Sequence, residues 1–172
     1  MQNSNRTVIR AAVCLGMLLA VQTLGFPQPV TGTLVNGILL ITGVFVHPGW
    51  AVAVGFMSPL TGILRGIVPA AMLPAAVFIG LGNMVYILVY YGGDRSGHLL
   101  GRAGAVVLGA AAKFGLLWMA AHVVLDLPGP ARVMLGLPQL GTALAGGVLA
   151  VLLGQALRRT GLFSTGDKRD RL

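Results

Sequence analysis

The sequence predicts an all-α integral membrane fold: one domain over residues 1–172, folded as a six-transmembrane-helix bundle with both termini cytoplasmic. Three observations lead there. Of the residues 56% are hydrophobic and 9% charged, with a mean hydropathy of +0.86, whereas a soluble domain carries roughly 25% charged residues. So few charges cannot clothe a water-facing surface, so lipid is the solvent for most of the chain. A span needs about 20 apolar residues, so 172 residues accommodate six spans with short connections. The 26 glycines suit helices that approach closely in lipid, where packing rather than hydrophobicity holds them together.

The first span runs over about 8–24, after Arg6 and Arg10. A basic start before an apolar run also describes a signal peptide, but Val21-Gln22-Thr23 is a poor small-residue cleavage signal and further spans follow at once, so the segment is read as retained. Phe26-Pro27-Gln28-Pro29 breaks it, and the second span covers about 31–46, ending at His47-Pro48-Gly49. The third is about 50–66. A stiff Val68-Pro69…Leu73-Pro74 turn leads to the fourth, about 71–91. A polar loop from Gly92 to Gly104 precedes the fifth, about 105–125, which Asp126-Leu127-Pro128-Gly129-Pro130 ends. The sixth covers about 137–157, and residues 158–172 form a charged cytoplasmic tail. The second and third spans are short and call for tilt or local bilayer thinning.

Lysine and arginine set the orientation. Six spans place Arg6, Arg10, Arg95, Arg102, Arg158, Arg159, Lys168, Arg169 and Arg171 on one side, against Arg132 and Arg65 on the other. That asymmetry puts the first side in the cytoplasm. It also gives the formal charge of +8 a topological meaning rather than a nucleic-acid one.

Few polar residues remain inside the spans. Lys113 lies near the middle of the fifth, where a charge costs at least ~2.5–3.5 kcal/mol and needs protein or water around it. No acidic residue lies within a span apart from Asp126 at an outer end. Two readings follow: a lysine satisfied by carbonyls and polar neighbours, or one that receives an anionic ligand. Arg65 near the end of the third span either snorkels to the interface or contacts ligand. Asn83 and Asn36 each read as interhelical glue or as pocket groups, with glue favoured for Asn36. Tyr86 and Tyr90 share the face of Asn83 at i+3 and i+7, and Tyr90 and Tyr91 suit an inner aromatic belt.

Trp118 and His122 share a face at i, i+4. At 100° per residue they lie about 140° and 180° from Lys113, so all three do not line one narrow cavity unless protein wraps the helix. Pro27-Gln28-x-x-Thr31 and Pro138-Gln139-x-x-Thr142 open two helices on the outer side. Proline fits a first helical turn, and free N–H groups there favour polar or anionic partners. The echo is read as a ligand rim or as helix capping alone. Ala12-x-x-x-Gly16-x-x-x-Ala20 is a small-residue stripe of the kind that admits another helix. Cys14, the single cysteine, reads as a small packed thiol.

No HExxH, no His/Cys cluster, no phosphate loop and no pair of intramembrane carboxylates occurs, so neither a metal nor a cofactor is expected, nor hydrolysis of ATP by this chain. A membrane-embedded enzyme is the least favoured class.

Size, six spans and internal termini combine with particular stretches: Pro27 to Asn36, Ser58-Pro59-Leu60, Gly82-Asn83, Ala112-Lys113-Phe114 and Pro138-Gln139-Leu140. In these the chain resembles the substrate-binding S component of an energy-coupling factor (ECF) transporter, over most of residues 8–157. The resemblance implies an outward pocket for a vitamin or related micronutrient, anionic where Lys113 or Arg65 takes part. It further implies a membrane coupling subunit and two cytoplasmic ATPases as partners, in the cytoplasmic membrane of a prokaryote. It makes Asn83, Lys113, Trp118, His122 and Gln139 pocket candidates, with Arg65 reaching in and Asn36 nearby, and Ala12, Gly16 and Ala20 the coupling face. The signatures of thiamine, riboflavin or biotin binders are not seen, so no substrate identity carries over. Rival expectations are a stand-alone secondary transporter or channel, and a non-transporting assembly protein.

Overall fold

The computed structural model describes residues 2–64 and 73–160, and all regular structure among them is helical. The helices are α1 (Gln2–Thr23), α2 (Gln28–Phe45), α3 (Pro48–Leu64), α4 (Leu73–Asp94), α5 (Leu99–Met119), α6 (Gly129–Leu135) and α7 (Leu137–Arg159). A π-helical turn, Ala120–Val124, extends α5. Four helical segments are long and apolar enough to cross a membrane: Gln28–Phe45, Leu73–Asp94, Leu99–Val124 and Gly129–Arg159. The chain is on that ground a multi-pass membrane protein. The apolar part of α1, Thr7–Thr23, is shorter, and α3 has 17 residues.

Several boundaries differ from the sequence expectation. The polar loop expected over 92–104 shrinks to a turn, because α4 continues to Asp94 and α5 already begins at Leu99. Charge pairing holds both extensions: Asp94 at the end of α4 meets Arg102 from the first turn of α5 and Arg158 from the end of α7. Ser96 shapes the turn itself, donating to the Gly93 carbonyl and accepting from the His98 N–H. A second difference is α6, placed where Pro128-Gly129-Pro130 reads as a break. Its prolines sit at the N-cap and in the first turn, where no N–H is missed. Ala131 and Leu135, four apart, bury its inner face. The expected turn around Pro69, Arg65 and the basic tail residues Lys168, Arg169 and Arg171 lie outside the described residues.

The most extensive contacts join α4 to α5, α2 to α7 and α3 to α4, while α1 leans on α2 and α3. Leu18, Leu39, Leu40, Tyr86 and Ile87 form the centre of a large core. A smaller core of Ala75, Leu117, Ala121, Leu127 and Leu135 lies under α6. The α2–α7 seam depends on Gly146: a Cβ there would stand 2.6 Å from both the Asn36 Cβ and the Thr33 carbonyl oxygen. Backbones this close are the use to which lipid-embedded bundles put glycine. Tyr86 crosses the interior to donate from its hydroxyl to the Ala143 carbonyl at 2.7 Å, so the buried phenol is satisfied.

Candidate binding site

A proline in the middle of α3 starts the site. Pro59 has no N–H to give the carbonyl four residues earlier, so Gly55 O is left without its helical donor. Asn83 of α4 takes it, donating from Nδ2 at 2.9 Å. That bond fixes the amide with its Oδ1 turned the other way, toward Lys113 Nζ at 2.8 Å. Asn36 is locked in the same manner by its own helix, donating from Nδ2 to the Gly32 carbonyl at 2.8 Å and accepting from Lys113 Nζ at 2.7 Å. Two amides, each with its donor end tied to backbone, therefore hold one lysine from two sides.

Lys113 is 2% exposed. Its stem lies along α4 over Gly82, where a Cβ would stand 3.1 Å from Lys113 Cγ. An ammonium has three donors, and the two amide oxygens account for two. No described acidic group lies near: Asp94 closes α4 eleven residues beyond Asn83, about 16 Å along the helix at 1.5 Å per residue, and Asp126 is exposed beyond the other end. The Tyr86 ring, 6.0 Å from Nζ, adds a weak cation–π contact. When protonated, the Lys113 ammonium is hydrogen-bonded but meets no described counter-charge.

Lys113, Asn36 and Asn83 line a cavity of about 100 Å³. From α1 and α3 come Gln22 and Ser58, joined by hydrogen bonds from Gln22 Nε2 to the Ser58 carbonyl (3.1 Å) and hydroxyl (3.3 Å). Thr61 Oγ1 donates to Gln22 Oε1 at 2.7 Å, closing that network. From the helix starts come Gln28 and Thr31 of α2 and Gln139 of α7. The two Pro-Gln starts thus converge on one cavity, as a rim would; Thr142 packs against Gly32 beneath them. Val35, Pro59 and Ile79 supply apolar wall.

The structure separates other sequence candidates. Trp118, 48% exposed, and His122 stack on each other with ring centroids 4.7 Å apart. They line a different groove with Phe114, Arg132 and Pro138. The expected helical angle from Lys113 explains the separation, and His122 Nδ1 is 2.9 Å from the Trp118 carbonyl oxygen rather than near the cavity. Grouping these two with Lys113 in one pocket is therefore corrected. Arg65 lies outside the described residues. Ala12, Gly16 and Ala20 are exposed on α1, and nothing lies within 4 Å of a Cβ built on Gly16. That stripe is unused within the bundle, which α1 meets through Ala11 and Leu18.

Sequence reasoning missed Gln22 and Ser58 as cavity groups, and Pro59 as the origin of the Asn83 geometry. The proline carried a usable signal, since the i−4 rule names Gly55 as the carbonyl it frees. Among the described residues no group of three or more His, Cys, Asp or Glu side chains comes together. No family model, curated protein or solved structure matches the chain.

Proposed function

We propose that the protein is the substrate-binding subunit of an ECF-type, ATP-driven importer, which captures a small anionic micronutrient from outside in the Lys113 cavity. The observation that carries this reading is a buried lysine, held by two neutral amides, on the wall of a cavity and without a described counter-charge. A buried cation that serves structure alone is ordinarily matched by an acid. One left unmatched beside a cavity is suited to a ligand that brings the negative charge, and low dielectric strengthens the charge-assisted bond.

In this reading the chain spans the membrane six times with both termini cytoplasmic, α1 and α3 crossing as short or tilted spans. The cavity then faces outward, because it lies at the ends of α1 and α3 and the beginnings of α2, α4 and α7, opposite the basic termini. The exposed Ala12, Gly16 and Ala20 stripe suits a membrane coupling subunit, and two cytoplasmic ATPases supply the energy. The membrane is the cytoplasmic membrane of a prokaryote.

Uptake assays in membrane vesicles test the proposal. Accumulation of the micronutrient is expected only when coupling subunit and ATPases are present together with this chain. Equal uptake by the purified chain alone in liposomes would instead favour a stand-alone transporter.

A further inference from the structure

We infer that the Lys113 cavity takes the carboxylate of a compact monocarboxylate, rather than a phosphate, a halide or a neutral solute. The inference rests on the binding reading above and narrows it to a chemical class.

Charge comes first. The cavity has one cation and no second basic side chain among its described lining residues. A monoanion neutralises it one to one. Against that described lining, walled partly by Val35, Pro59 and Ile79, a phosphate dianion would exceed the single cation and leave charge uncompensated, which is costly.

Donor arithmetic comes second. Lys113 keeps one N–H beyond its two amide bonds, and Ser58, 3% exposed, accepts from Gln22 while its own O–H meets no described acceptor. Asn36 and Asn83 each keep a second N–H after their backbone bonds. The wall thus offers spare donors around one positive charge. An ionised carboxylate, which only accepts, has two oxygens to meet them. A neutral amide of the same size would bring donors of its own and no charge. The N-termini of α2 and α7, whose Gln28 and Gln139 reach the cavity, add positive dipole ends in the same sense.

Size comes third. The cavity measures about 100 Å³, while an apolar cavity of about 150 Å³ holds benzene. By that scale the enclosed part of the ligand has about four or five non-hydrogen atoms, enough for a carboxylate and a short aliphatic body against Val35 and Ile79. Anything larger has to extend past Gln28 and Gln139.

The test is calorimetric titration of the purified full chain in detergent. The probes are sodium acetate, propionate, butyrate and benzoate, with propionamide, sodium phosphate and sodium chloride at matched ionic strength. Propionate and butyrate are expected to bind best, acetate and benzoate more weakly, and propionamide, phosphate and chloride without saturation. Ser58→Ala, a small change that keeps packing, is expected to weaken propionate by roughly tenfold, and Lys113→Met to abolish its binding. Phosphate, chloride or propionamide binding as tightly as propionate would overturn the inference, as would propionate binding unchanged by either substitution. A non-carboxylate that binds the wild type but not Lys113→Met removes the carboxylate class and leaves the binding reading intact. No saturable binding by any probe, with no small molecule carried through purification, removes both.

Discussion

Two charged clusters sit at different depths of this bundle and are built on opposite plans. Near one end, Asp94 of α4 is clasped by two arginines. Arg158 Nη2 donates to both carboxylate oxygens, at 2.8 and 2.6 Å, and Arg102 Nε lies 3.0 Å from Oδ1, out of hydrogen-bond alignment. Arg158 also stacks its guanidinium over Phe45, 5.1 Å from the ring centroid, so the clasp ties α2, α4, α5 and α7. Deeper in the bundle, Lys113 is held by two amides and meets no acid among the described residues. The first cluster satisfies its central charge with partners from the chain. The second satisfies hydrogen bonds but leaves charge over, next to empty space. The contrast separates a device for holding helices from a device for holding something else.

Four substitutions break or sharpen this contrast. The largest effect is expected from Lys113→Met, which should weaken anion binding by at least about 100-fold, or ~2.7 kcal/mol. Stability of the ligand-free protein should change less. Unsatisfied amide oxygens cost about 1–3 kcal/mol each, but removal of an unopposed buried charge offsets that loss. Titration and thermal unfolding of the same preparation measure the two. Asp94→Asn should show the reverse pattern. Unfolding should become easier by about 2 kcal/mol, below the value for a fully buried pair because Arg158 is 41% exposed, and anion affinity should be unchanged. If Asp94→Asn abolished binding while leaving stability intact, the division of labour between the clusters would be wrong.

A subtler change is Pro59→Ala. It restores a backbone donor for Gly55 O and so competes with Asn83 for its anchor. Affinity should fall by roughly threefold to tenfold, the scale of one modest hydrogen bond, while α3 gains helical stability. Titration together with an Asn83→Ala background checks it: the proline effect should vanish there, because no amide is left to release. The smallest effect is expected from Trp118→Ala, which should leave anion affinity within error, since Trp118 lines the separate groove.

Much of this was legible in the sequence, for physical reasons that differ by element. Composition alone identifies the lipid-facing helices, because 9% charge is insufficient for a soluble surface. Lys113 and Asn83 stood out because a polar group in an apolar run is costly and must be satisfied. Counting 100° per residue puts Trp118 and His122 about 140° and 180° from Lys113, yet the family resemblance groups all three in one pocket, and the structure sets the first two in a separate groove. The repeated Pro-Gln starts read equally as a ligand rim or as helix capping, and Gln28, Thr31 and Gln139 line one cavity.

What escaped depends on partners far apart in the chain. Gln22, at the end of α1, carries no binding signal of its own until Ser58 and Thr61, 36 and 39 positions away, are placed beside it. Asn36 by itself reads as interhelical glue, and only its meeting with a lysine 77 residues away makes it part of a cation site. The helix α6 was hidden because Pro-Gly-Pro serves a turn and a helix start equally well. The extended ends of α4 and α5 rest on ion pairs of Asp94 with Arg102 and with Arg158 of α7, which local polarity does not reveal.

The central claim is that Lys113 holds an anion that the protein itself does not supply. Mass spectrometry of small molecules carried through purification tests it most directly, comparing wild type with Lys113→Met prepared identically. The wild type is expected to carry a small anion in near-stoichiometric amount that the variant lacks. The same anion in both preparations, at the same amount, would contradict the account.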